Sequence, residues 1–230
     1  LIAAVDFRVT RDNPNQADRW DQVMFDNKVL DCHFTVGGSD GIQLMDFPVY
    51  DVAGDETSIR RRLVQNPGFI IRGCDFQDPY FGAVVNGDSI RTENGVDLKV
   101  GGSPGNPVII EDNRFYNFAP VIHSDQNGDD KTANGTALGM HFQSSHVRVS
   151  KNVFYYCNRG IAITNKYFYI TTAEARDVVI EDNLVGGRRP DQAAIKAIPG
   201  NGFRSQYGLV DSGWGAIWRR NVIVGFAEAQ

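Results

Sequence analysis

The chain has 230 residues, of which 42% are hydrophobic and 22% charged, and a formal net charge of −5. That hydrophobic content excludes a disordered chain, and the length suffices for one large domain or a repeat array. The mild negative charge excludes a global basic field, so neither nucleic acid nor a membrane is an expected partner, and an acidic polymer would need a local basic patch or a bridging cation.

The first predicted element holds Val29, Cys32 and Phe34, and a strand opened by glycine, Gly41-Ile42-Gln43-Leu44, follows it. A polar segment over 50–67, with Arg60-Arg61-Arg62, reads as a protruding loop. Then comes the fuller phrase Phe69, Ile71, Cys74, Phe76, and a second glycine-led strand, Gly95-Val96-Asp97-Leu98-Lys99. The phrase returns as Val108, Ile110, Asn113, Phe115, and an acidic loop over 123–136 precedes Gly139-Met140-His141-Phe142. It returns again as Val147, Val149, Asn152, Phe154, before Gly160-Ile161-Ala162-Ile163-Thr164. Val178, Ile180, Asn183, Val185 lead into a loop over 186–201, and Trp218, Asn221, Ile223 close the series.

Apolar residues at period two specify strands, and helical three-to-four spacing is nearly absent. The pivots Cys32, Cys74, Asn113, Asn152, Asn183 and Asn221 are spaced 42, 39, 39, 31 and 38 residues apart. No single repeat can bury its apolar side alone, so the repeats must stack. The expected fold is all-β: a right-handed parallel β-helix solenoid of about six coils with long protruding loops, one domain over 1–230. The pivot asparagines are expected at one equivalent bend, in left-handed backbone, with their amides bonded from coil to coil. The three cysteines form no metal-binding spacing and read as small buried residues. No cap is evident at either end of the stack, and no signal peptide at Leu1. A mature domain or a fragment of a longer solenoid is therefore expected.

On the glycine-led strands the residues between the apolar ones should face out. Aligning the glycines puts Gln43 beside Asp97, then His141 and Ala162; the next row holds Met45, Lys99, Gln143 and Thr164. Coils about 4.8 Å apart would make Asp97, Lys99 and His141 neighbours. Such a cluster suits elimination on a uronate polymer. A base takes the C5 proton, the C4 oxygen leaves, and the sugar carboxylate must be neutralised. Lys99, His141, Lys196 and Arg204 are the catalytic candidates, and Gln143 and Arg72 the substrate-binding ones. Asp97, Glu93, Asp88 and Asp125 offer hard oxygen to Ca²⁺. The plainer reading of Asp97 and Lys99 is a surface ion pair worth about 0–1 kcal/mol.

The repeated phrases over 23–226 resemble the pectate-lyase-like parallel β-helix superfamily, which includes polysaccharide lyases, hydrolases, epimerases and tailspikes. The string Glu93-Asn94-Gly95-Val96-Asp97-Leu98-Lys99 resembles one found in many β-helix lyases. Gly200-Asn201-Gly202-Phe203-Arg204 resembles the segment that carries the basic catalytic residue of a calcium-dependent pectate lyase family. That family has lysine where this chain has Arg204, and its paired-aspartate calcium motif is absent in its usual form. The resemblance implies a secreted or extracytoplasmic lyase acting on an acidic polysaccharide. A glycan-binding, tailspike or adhesin solenoid is the alternative, as is a glycoside hydrolase or C5-epimerase. A hydrolase would need two carboxylates flanking the scissile bond, and Asp129-Asp130 is the nearest pair.

Overall fold

A computed structural model describes residues 3–8, 26–36, 40–45, 49–50, 59–60, 68–78, 84–85, 88–89, 94–118, 121–124, 130–133, 136–141, 144–157, 159–164, 177–186, 207–211 and 216–224. Among them there is no helix. Eighteen strands form three parallel sheets of six. Sheet A holds β1 (Ala3–Arg8), β4 (Asp40–Met45), β11 (Asn94–Leu98), β16 (Thr136–His141), β19 (Arg159–Thr164) and β22 (Tyr207–Asp211). Sheet B holds β2 (Lys28–Leu30), β7 (Ile70–Arg72), β12 (Val108–Glu111), β17 (Val147–Ser150), β20 (Val178–Glu181) and β23 (Ala216–Arg219). Sheet C holds β3 (His33–Thr35), β8 (Asp75–Gln77), β13 (Arg114–Tyr116), β18 (Val153–Tyr155), β21 (Leu184–Gly186) and β24 (Val222–Val224). The chain thus visits A, B and C in the same order six times. Three antiparallel pairs interrupt the passes: β5 (Val49–Tyr50) with β6 (Ile59–Arg60), β9 (Val84–Val85) with β10 (Asp88–Ser89), and β14 (Val121–Ser124) with β15 (Asp130–Ala133).

The apolar positions of the repeated phrase build the core, with Ile71, Ile110, Val149 and Ile180 in one row and no exposed surface on any of them. The aromatics form a stack. Phe34 and Phe76 have ring centroids 4.7 Å apart, Phe76 and Phe115 4.6 Å, and Phe115 and Phe154 4.9 Å, all within 9° of parallel. Those separations match the strand spacing, so the stack follows from register. Each ring pair adds about 0.5–1.5 kcal/mol beyond its area burial.

The pivot row is the expected amide ladder. Asn113 Nδ2 donates to Asn152 Oδ1 at 2.9 Å, Asn152 Nδ2 to Asn183 Oδ1 at 3.0 Å, and Asn183 Nδ2 to Asn221 Oδ1 at 2.9 Å. Each of these oxygens also accepts a backbone N–H from the preceding pass, and each amide also donates to a carbonyl such as Ile71 O or Ile110 O. Groups that water cannot reach are thereby satisfied.

The left-handed backbone, however, belongs to the preceding residue in each pass. Asp31, Gly73, Asp112, Lys151, Asp182 and Arg220 have φ between 51° and 67°. Five of these carry a side chain at roughly 1–2 kcal/mol each. The bend turns these residues outward, where all six are exposed, and the asparagine that follows points inward. Cysteine burial is also uneven: Cys74 and Cys157 are buried, but Cys32 is exposed, and all three are free thiols.

Candidate functional site

Sheet A differs from the other sheets on its outward side. Strict alternation breaks at the start of its strands. A Cβ on Gly95 would lie 2.8 Å from Phe118 Cζ and 3.0 Å from Phe115 Cδ1, so position 95 faces the core. Val96, next to it, belongs to the same core cluster, as does Leu98. Two successive inward positions send Asn94 outward with Asp97, and by register Asp40 with Gln43.

These four side chains and Lys99 form one polar network. Gln43 Nε2 donates to Asp40 Oδ2 at 2.9 Å and to Asp97 Oδ2 at 3.2 Å. Asn94 Nδ2 donates to Asp40 Oδ1 at 2.8 Å. Lys99 Nζ lies 3.1 Å from Asp97 Oδ2. The network is buried although it is on the outward side: Gln43 and Asp97 are 2% exposed, and the Lys99 side chain is 19% exposed. The expected Asp97–Lys99 pair therefore exists, but beneath cover rather than in water. Two carboxylates and one ammonium leave a net formal charge of −1. Gln43 Oε1 is buried and accepts no hydrogen bond from the described residues.

The register corrects one expected row. Asp97 lies opposite Gln43, as expected, but opposite Gly139 rather than His141. Aligning on glycine misplaced β16 by two residues. The inward small residue there is Ala137, level with Gly95 and Gly160, and Leu138 and Met140 continue the rows of Val96 and Leu98. Gly139 leaves room for the network: a Cβ there would lie 3.0 Å from Asn94 Oδ1 and press on that amide. His141 falls one place beyond the Leu98–Met140 pair, level with Lys99, and pairs with Thr164.

Arg72 is elsewhere, on sheet B. It is exposed, and its Nε donates to Glu111 Oε1 at 2.6 Å, so it does not join the sheet A network. Asp88 is in β10, which pairs with β9 and not with a strand of the three sheets. Glu93, Asp125, Gln143, Lys196 and Arg204 lie outside the described residues, as does the Asp129 half of the loop pair. Among the described residues no three His, Cys, Asp or Glu groups converge as a metal would require.

Asp40 and Asn94 were not among the sequence candidates. Their signal is the polar residue immediately before the small one on each strand, as in Asp40-Gly41, Asn94-Gly95, Thr136-Ala137 and Arg159-Gly160. Period two would place that residue inward, and only the doubled inward position reverses it.

On sheets B and C, half-buried carboxylates meet exposed arginines instead. Arg114 makes two bonds to Asp75, at 2.5 and 2.6 Å. Arg219 and Arg220 hold the Glu181 and Asp182 carboxyls below their ordinary range. At the bend from sheet A to B, His146 Nδ1 lies 2.9 Å from Asp177 Oδ2. Its hydrogen bond, followed by that of Arg148, holds the Asp177 carboxyl low.

No helix among the described residues is long and apolar enough to cross a membrane. Comparison with known proteins gives no matching family model, no matching curated protein and no matching solved structure.

Proposed function

We propose that the chain is a right-handed parallel β-helix of six coils that cleaves a uronate-containing polysaccharide by β-elimination, with the outward side of sheet A as its active face. Handedness follows from the near-universal right-handed crossover between parallel strands. The observation that carries the activity is the Asp40–Gln43–Asn94–Asp97–Lys99 network. Burying charge costs several kcal/mol per ion before pairing. A cluster of five polar side chains, two of them buried carboxylates, concentrates that cost beyond what packing requires.

An ammonium in an ion pair keeps its proton. Lys99 therefore suits neutralisation of the sugar carboxylate, with Asp97 and Gln43 fixing its position. His141, level with Lys99 on the next strand, is the proposed base. It takes the C5 proton, the released electron pair forms the C4=C5 bond, and the C4–O bond breaks. The departing oxygen takes a proton from water. Calcium would demand six to eight oxygen ligands. The described residues offer no such set, and one Asp97 oxygen is spent on Lys99 and Gln43, so no step is routed through it. No step is assigned to Arg72, Gln143, Lys196 or Arg204. An extracytoplasmic location accords with such a substrate.

The depth of the network favours a second reading, a glycan-binding solenoid without chemistry, since Asp40, Gln43 and Asp97 are all but out of solvent. An ultraviolet assay separates the two. Each elimination creates a C=C bond conjugated to a carboxylate, so absorbance rises with cleavage of pectate, alginate or a glycosaminoglycan. A rise with one polymer, lost at least 100-fold in rate in Lys99→Met and His141→Ala, is the expected result. A chelator arm tests the cation. No rise with any polymer from folded protein overturns the lyase.

A further inference from the structure

The amide ladder reaches Cys74, whose backbone N–H donates to Asn113 Oδ1 at 2.9 Å. At the next junction sulfur takes the amide's place. Cys74 is the pivot between β7 and β8, and Cys32 the pivot between β2 and β3. Leu30 lies opposite Arg72 and His33 opposite Asp75, so the two cysteines share one level of the same bend on adjacent strands.

Cys74 Sγ does what the asparagine amides do, at longer range. It accepts the Cys32 N–H at 3.5 Å and lies 3.5 Å from Val29 O. The equivalent groups one pass on, Cys74 N–H and Ile71 O, meet the Asn113 amide at 2.9 and 3.0 Å. Sulfur is also the weaker partner. Each thiol reaches the carbonyl two residues before it: Cys32 Sγ lies 3.1 Å from Leu30 O, and Cys74 Sγ 3.3 Å from Arg72 O. The side chains therefore leave the backbone alike, one above the other. Strand spacing of about 4.8 Å falls within the roughly 4.4–6.8 Å between Cα atoms that a disulfide spans. Cys157 follows β18, two passes beyond Cys74 and at the far end of sheet C, out of reach of both.

We propose that Cys32 and Cys74, thiols in this structure, are a disulfide pair that ties the β2–β3 pass to the β7–β8 pass where the amides give out. A small-molecule disulfide such as oxidised glutathione is the oxidant. One cysteine thiolate attacks it, forming a mixed disulfide and expelling one glutathione thiolate. The other cysteine, as thiolate, attacks the protein sulfur of that mixed disulfide and expels the second. Two cysteine thiols thus lose two electrons and two protons, and one oxidised glutathione becomes two reduced ones. The cross-link restricts the unfolded chain, so the oxidised form is the more stable. The inference rests on the register and is independent of the proposed activity.

The test is to refold the reduced chain from urea in a mixture of reduced and oxidised glutathione, alkylate the remaining thiols, and digest with trypsin without reduction. Mass spectrometry should find peptide 29–60 joined to peptide 73–91, with Cys157 alkylated. The linked chain should show a higher urea midpoint than the reduced one. Cys157→Ser should form the same link, and Cys74→Ser should stop at a mixed disulfide on Cys32. If Cys74→Ser does not fold, the peptide map of Cys157→Ser still decides. Three alkylated cysteines overturn the proposal. So does a link from either cysteine to Cys157, a mixed disulfide that persists in the unsubstituted chain, or a linked chain with an unchanged midpoint.

Discussion

The outward side of sheet A and the outward sides of sheets B and C are built from the same residue types on the same repeating backbone, yet they treat charge in opposite ways. On B and C, half-buried carboxylates meet exposed arginines, as Asp75 meets Arg114 and Glu181 meets Arg219. On A, Asp40 and Asp97 accept from side-chain amides, Asp97 also meets Lys99, and both are buried. An exposed pair contributes little because water already solvates both partners. A buried carboxylate depends on every partner it has. The stack therefore tolerates change on B and C and resists it on A and inside.

The largest effect should come from the interior ladder, against which both outward sides are measured. Asn152→Ala removes the acceptor for the Asn113 backbone N–H and Nδ2, and the donor to Ile110 O. Leaving such groups buried and unpaired costs about 1–3 kcal/mol each, so roughly 4 kcal/mol should be lost in urea denaturation. A loss below about 1 kcal/mol would mean that water replaces the amide, and the ladder would not be the stack's internal standard.

The comparison is sharpest between Asp97→Ala and Glu181→Gln. Asp97→Ala removes the carboxylate that Lys99 Nζ and one Gln43 hydrogen reach, and should cost roughly 3 kcal/mol, the low end for a broken buried pair, because Lys99 can swing toward solvent. Glu181→Gln should leave the urea midpoint unchanged within error. Equal effects from the two variants would erase the distinction between the faces.

That distinction was only partly legible in the sequence. Period-two alternation gave the strands, and the pivot spacing brought Cys74, Asn113, Asn152 and Asn183 to one bend, because repeated identical residues must stack on one another. It also put Gln43 beside Asp97. Two things were hidden. A doubled inward position at Gly95 and Val96 has no signature in polarity, so Asn94 and Asp40 read as inward. Glycine is an unreliable register mark, because core packing accepts Ala137 in the same slot, and a glycine alignment displaces His141 by two places. Burial over the outward side depends on three-dimensional cover, which a strand pattern does not encode.

Thiol chemistry contrasts the inside with the edge without altering stability. Cys32 is exposed on the first pass, whereas burial pushes the Cys74 thiol up and the Cys157 thiol to about 12. Since only the thiolate reacts, an aromatic disulfide reagent at pH 8 should label one thiol per native chain quickly, and all three in denaturant. Rapid labelling of two or three native thiols would show that the core opens far more readily than its packing suggests.

The smallest effect belongs to the exposed pairs themselves. Asp177, Glu181 and Asp182 are each held below the ordinary carboxylate values of 3.8 and 4.5 by hydrogen bonds from His146, Arg219 and Arg220 respectively. A depressed folded value means that the unfolded chain binds the proton more readily. The stability it confers is present above the ordinary carboxylate value and is lost as pH falls through the lowered one. Between pH 7 and pH 5 the three carboxylates should therefore add no slope to the urea midpoint. Below about pH 4 they should add a shallow downward one. Salt should flatten that slope, because the groups are exposed and screened. A chain carrying Glu181→Gln and Asp182→Asn should keep most of the acid transition. If instead the double substitution removed most of it, the charges on sheet B would govern stability as much as those buried on sheet A, and the contrast between the two sides would fail where it is most easily measured.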